Sequence, residues 1–149
     1  LSTLRIEMGH IAGSELDGRT IPYDNSLEGL VSKKKDFIGK RSLDREAFTA
    51  KDRQKVVGVV PIDKKTSIPE GSHLVKDAMA PIPNPKLGYI SASCWSVEYD
   101  NPFSLAILKD GKNMIGQKLF AMSPLKNKTI PVEIVSSHYV DPKGERVRS

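Results

Sequence analysis

From Gln54 onward the chain is a succession of short β-branched runs cut apart by turn residues, and nothing else in it limits the fold so narrowly. Lys55–Val60 ends at Pro61, and His73–Lys76 comes after the turn Pro69-Glu70-Gly71-Ser72. Leu87–Ser93 and Phe103–Leu108 come next, then the turn Asp110-Gly111, then Gln117–Met122 and Thr129–Val135. Ala80–Pro85 holds three prolines, which cannot donate to a strand ladder, so it is a loop or hairpin tip. Asp141-Pro142-Lys143-Gly144 closes the last run. Six short strands at this spacing predict a small antiparallel barrel or sandwich. A chain of 149 residues is one domain's worth, long enough to bury a core.

The first third reads differently. Leu4–Met8 alternates apolar and polar, as a strand or the end of a helix would. Gly9, Gly13 and Gly18 break up the next stretch, and Asp17-Gly18 is a turn signal. Ile21 precedes Pro22, which pushes it into extended backbone. Leu27, Leu30 and Val31 form a short apolar element that runs into Lys33-Lys34-Lys35. Asp36 then sits where a helix N-cap is expected, with Phe37 and Ile38 packing that helix down and Lys40 and Arg41 solvated. Lys143–Ser149 is polar and is expected to fray.

Several chemistries find no support. The single cysteine, Cys94, cannot form an internal disulfide, points to a reducing compartment, and reads as a small buried residue. His10, His73 and His138 stand apart, with no neighbours at metal-ligand spacing. No phosphate-loop or dinucleotide glycine pattern is present. A charge of +5 permits an anionic partner, but aromatic residues at 6% are too sparse for a base-stacking platform, so no nucleic acid is expected. No run approaches the roughly 20 apolar residues that span a bilayer, and no secretory signal opens the chain, so no membrane partner and a cytoplasmic setting are expected. Trp95 reads as a core or barrel-rim aromatic. Glu7 lies among Leu4, Ile6 and Met8. Its carboxylate is either on a solvated face, which the periodicity favours, or held for a purpose such as a planar ligand edge with two N–H donors.

Three segments carry a resemblance: Leu4-Arg5-Ile6-Glu7-Met8-Gly9, Leu16-Asp17-Gly18-Arg19-Thr20-Ile21-Pro22, and Asp36-Phe37-Ile38-Gly39-Lys40-Arg41-Ser42-Leu43. Taken in order, with the strand-forming runs behind them, they resemble the folate-binding aminomethyltransferase superfamily, that of the glycine-cleavage T-protein. Val31–Leu43 and Ser93-Cys94-Trp95-Ser96 are most similar, within it, to the carboxy-terminal end of the sarcosine oxidase α-subunit family. The similarity runs from Leu4 to about Arg146.

The resemblance implies a mainly β fold: a small antiparallel Greek-key-like barrel preceded by an α+β segment from the folate-binding module. Residues 1–49 would be the carboxy-terminal tail of that module, 50–141 the barrel domain and 142–149 a flexible tail. It also implies that the chain is part of something longer, its partners being the missing amino-terminal part of the same chain and the other sarcosine oxidase subunits. The implied cofactor of this module is tetrahydrofolate, with flavin and NAD elsewhere in the complex. A flavin in a partner subunit would oxidise the N-methyl amine, and tetrahydrofolate would capture the one-carbon unit. The family's pterin-binding glutamate falls on Glu7, and the arginine that pairs with the folate tail falls on Lys35. A lysine neutralises a carboxylate but cannot grip it with two parallel bonds. No residue here is expected to be catalytic and none to bind metal, and the fragment alone is expected to be inactive. The nearest rivals are a T-protein or a dimethylglycine dehydrogenase of the same fold; the rival from another class is a non-enzymatic basic barrel scaffold.

Overall fold

A computed structural model describes residues 1–148; Ser149, the end of the segment expected to fray, lies outside the described residues. Six strands form a closed barrel: β1 (Gln54–Pro61), β2 (His73–Val75), β3 (Lys86–Ser96), β4 (Asn101–Lys109), β5 (Lys118–Ser123) and β6 (Lys128–Val135). Around the barrel they run β1-β4-β3-β2-β5-β6, and every pairing is antiparallel. Strands β2, β3 and β4 lie side by side in chain order while β1 lies beside β4, which is a Greek key. Closure leaves no strand edge unpaired.

The alternation of side chains along each strand puts one set inside. Val57 and Val59 of β1, Ala106 and Leu108 of β4, and Val132 and Ile134 of β6 fill the interior. The intervening positions of β1 and β4 are apolar as well, so β4 is buried from Asn101 to Leu108. Val56, Phe103, Leu105 and Ile107 form a second core on the barrel's outer face. A bulge between Ile90 and Ala92 shifts the register, so Ile90 points into the barrel while Ala92 joins the outer core.

That outer face is covered by the beginning and the end of the chain. Helix α1 (Ser2–Glu7) lays Ile6 into the outer core. It stops at Gly9, whose φ of +70° is open to glycine at little cost. Gly9 donates to the Ile6 carbonyl at 3.0 Å and His10 to the Arg5 carbonyl at 2.7 Å, the paired closure of a Schellman cap. Of the two readings open for Leu4–Met8, the helix is the one realised. The strap 136–141 crosses over this cap, and its Tyr139 ring stacks on Phe103 with the ring centres 4.3 Å apart.

Along the chain between α1 and β1, the segment 26–53 carries two short helices, α2 (Lys40–Leu43) and α3 (Glu46–Thr49), and buries none of its residues. Here three expectations are corrected. Asp36 caps no helix: α2 begins later, at Lys40, with Gly39 at φ +93° as its N-cap. Ile38 packs nothing down and is fully exposed, and Phe37 is exposed as well. Lys40 is not simply solvated. Its ammonium donates to the Lys33 and Lys35 carbonyls and pairs with the Asp36 carboxylate at 3.4 Å. A turn of helix, α4 (Glu145–Arg148), ends the described chain, with the Asp141 carboxylate accepting from the Glu145 amide at 2.8 Å.

Candidate functional site

Glu7 is the last residue of α1 and is 5% exposed, so the solvated face that periodicity favoured is not where it lies. Burial is forced by its neighbours. Ile6 anchors the helix on the outer core, and the strap presses on the turn at Gly9. A Cβ on Gly9 would come within 2.6 Å of the Ser137 carbonyl oxygen, so only glycine lets the strap approach this closely. The Glu7 carbonyl accepts from the Tyr139 and Val140 amides at 3.2 and 3.0 Å. Its carboxylate Oε1 accepts from the Val97 amide at 2.9 Å, at the tip of the β3–β4 hairpin. Oε2 takes no hydrogen bond from any described residue, and Oε1 keeps a second lone pair. The group is therefore held in place by the fold with acceptor capacity to spare.

The surroundings of Glu7 are partly ionic. Cys94 is half-buried against the outer core, and burial, helped by the Glu7 carboxylate, pushes its thiol up to about 11. Arg5, on the same helix, bonds Glu15 at 3.1 Å. Trp95 sits on the barrel rim, with its indole N–H donating to Asp100 at 3.1 Å.

Lys35 lies in a loop pinned from both sides. Its amide donates to the Ser32 hydroxyl at 2.9 Å and its carbonyl accepts from Lys40 at 3.0 Å. The side chain is exposed and lines two grooves. One, of about 430 Å³, is apolar, walled by Leu27, Leu30, Val31, Phe37 and Leu43. The other, of about 630 Å³, runs between Glu28 and Lys34. Neither groove includes Glu7, so the structure holds both residues in fixed settings without joining them in one cavity. Lys40 is the residue that sequence reasoning missed. Its spacing from Lys35 and Asp36 was visible, but carbonyl oxygens, its principal partners, leave no mark in a sequence.

The segment 17–25 is tied to the start of β1 by a further set of charges. Arg53 grips the Asp24 carboxylate with two N–H groups, one of them at 2.8 Å, and also donates to the Ala47 carbonyl at 2.9 Å. Lys55 donates to the Tyr23 carbonyl at 2.7 Å. Glu28 pairs with Lys112 nearby. Among the described residues no cluster of three or more His, Cys, Asp and Glu side chains is placed to hold a metal ion. No described helix is long and apolar enough to cross a membrane.

No family model matches the chain. Over 149 residues it is 38% identical to the sarcosine oxidase subunit α of Rhizobium meliloti (strain 1021), covering 99% of this chain and 15% of that subunit. It is 36% identical over 149 residues to the sarcosine oxidase subunit α of Corynebacterium sp. (strain U-96), covering 98% of this chain and again 15% of that subunit. The chain is thus related, along essentially its whole length, to a segment amounting to about 15% of these subunits. Its fold is shared with a crystal structure of the glycine cleavage system aminomethyltransferase T from Bartonella henselae. The TM-score is 0.75 at 20% identity, over 95% of this chain and 38% of that one.

Proposed function

We propose that this chain is the segment of a sarcosine oxidase α subunit that supplies one wall of a tetrahydrofolate site and the barrel that braces it. The observation that carries this reading is Glu7: a carboxylate 5% exposed, in a chain related throughout to these subunits, with Oε2 unclaimed by any described donor. Oε2 is not among the fully buried atoms, so a donor arriving at the site can reach it. The pterin edge of a folate carries an amide N–H beside an amino group, which suits that acceptor.

In this reading the protein's work is positional. The Val97 amide fixes the Glu7 carboxylate and the strap holds its main-chain carbonyl, so little side-chain freedom is lost when a donor-rich edge meets it. Lys35 neutralises the carboxylate of the folate tail with a single charge, at the edge of an apolar groove that shelters the less polar part of the ligand. The parts of the enzyme beyond this chain close the space between the two residues and carry out amine oxidation. Tetrahydrofolate, when bound, supplies the acceptor for the one-carbon unit released by that oxidation.

The test is Glu7→Gln in the intact enzyme. Glutamine keeps the size and the acceptor toward Val97 but loses the charge. A charge-assisted hydrogen bond contributes about 1.5–3 kcal/mol, so tetrahydrofolate affinity should fall by roughly tenfold to a hundredfold. Amine oxidation should continue, with the one-carbon unit released as formaldehyde. Unchanged folate affinity in the variant would remove Glu7 from the site.

A further inference from the structure

We propose that Lys40 is a positioning residue for Lys35: its ammonium orders the 32–36 loop and so fixes the point from which Lys35 reaches the folate tail. The inference rests on the role given to Lys35 above.

A lysine ammonium has three donors, and at a protein surface it ordinarily spends them on water. The Lys40 side chain is 34% exposed, and its ammonium is turned back onto one stretch of chain. It meets the Lys33 carbonyl at 3.3 Å, the Lys35 carbonyl at 3.0 Å and the Asp36 carboxylate at 3.4 Å, so each donor has an acceptor. The second staple of the loop is the Lys35 amide, which donates to the Ser32 hydroxyl at 2.9 Å. Lys35 is thus held at its amide and at its carbonyl, one on either side of its Cα. No described residue bonds its side chain, which is left for a ligand. Lys33, Lys34 and Lys35 are adjacent like charges that repel one another, so the order of this loop needs such a cause.

Lys40 does not itself meet the ligand. Lys35 lines both the apolar groove and the larger groove beside it, whereas Lys40 lines neither. Its effect travels through the loop. A lysine is a point charge on a flexible four-carbon stem and cannot orient itself with the fork that an arginine has. Its precision comes from where the stem starts. Ordering that start before the ligand arrives lowers the cost of binding.

The test is tetrahydrofolate binding by the intact enzyme. The second probe is 6-methyltetrahydropterin, which has the pterin edge but no aryl-glutamate tail. Lys40→Met keeps the stem and removes the three donors. It should weaken tetrahydrofolate about threefold to tenfold, the cost of immobilising one long side chain that is no longer pre-ordered, and leave 6-methyltetrahydropterin unchanged. A residue that acts only through Lys35 adds nothing once Lys35 has lost its charge. The double variant Lys35→Met, Lys40→Met should therefore bind no more weakly than Lys35→Met alone. Lys40→Gln is the second variant, should Lys40→Met fail to fold. Unchanged tetrahydrofolate affinity in the folded Lys40 variants, an equal loss for both probes, or a loss that adds to that of Lys35→Met would each overturn the inference. If Lys35→Met itself binds tetrahydrofolate as the unmodified enzyme does, the role of Lys35 falls and this inference with it. If Lys35→Met weakens binding and Lys40→Met does not, only the positioning role falls.

Discussion

Glu15 shows how far this fold will go to keep a carboxylate inside. It is fully buried, which by itself pushes its pKa up. The Ser91 hydroxyl, the Ala12 amide at 2.8 Å, the Ser14 hydroxyl at 2.9 Å and the Arg5 guanidinium more than reverse this and hold it below its usual 4.5. A folded-state pKa below the unfolded one stabilises the protein above about pH 4.5, and that stability is lost as pH falls through the depressed value. Glu15→Gln should therefore cost about 1–3 kcal/mol at pH 7 and progressively less as the pH falls below 4.5, read by urea unfolding along a pH series. Cys94 tests the opposite shift. With its thiol raised from 9.0 to about 11, its thiolate fraction at pH 8 should be roughly a hundredfold below that of an ordinary cysteine. Iodoacetamide labelling of the native protein should slow accordingly, and unfolding in urea should restore the ordinary rate. The partners of Glu15 left no mark in the sequence, whereas the half-burial of Cys94 is close to the small buried residue expected of it. Glu7 is held by an amide at Val97, ninety positions away, and Asp36 lost its expected cap because the helix starts only at Lys40, whose ammonium draws the Asp36 carboxylate into an ion pair.

The elements themselves were easier to read. Every β-branched run in the second part of the chain became a strand, because valine, isoleucine and aromatic side chains suit a pleated, half-buried surface. The ends were harder. Strand β3 runs on to Ser96 and β4 starts at Asn101, since polar residues at a hairpin tip take their place in the ladder by pairing with each other. The short helices of 26–53 had no apolar period long enough to reveal them. The least legible element is the strap, which looks like a polar ending and yet closes the second core through Tyr139. Gly9→Ala probes its seating. The methyl would sit 2.6 Å from the Ser137 carbonyl oxygen on a backbone at φ +70°. A cost of about 2–4 kcal/mol is expected, with faster amide exchange at Tyr139 and Val140, whose bonds to Glu7 depend on the strap lying flat. If only global stability fell, with these two amides no more labile than the barrel, the strap would not be the element that yields.

At the scale of the molecule, stability is unevenly shared. The barrel has its ladders closed on all sides, whereas 26–43 presents Leu30, Ile38 and a run of lysines to solvent and rests on few buried groups. Local opening concentrates where buried contacts are sparse. Trypsin should cut first between Lys33 and Arg45 and leave a barrel-containing product that resists much longer, as mass spectrometry of early digests would show; early cleavage at Lys55 or Lys109 would contradict this. The two cores meet along β4, which lines the barrel with Ala106 and Leu108 while presenting Leu105 and Ile107 to the covering helix and strap. A partition wall plastered on both sides has nowhere to bulge. Enlarging a residue on one face pushes against packed atoms on the other, so the room beside Glu7 and the girth of the barrel can drift only together, and substitutions tolerated in β4 should come as matched sets rather than singly.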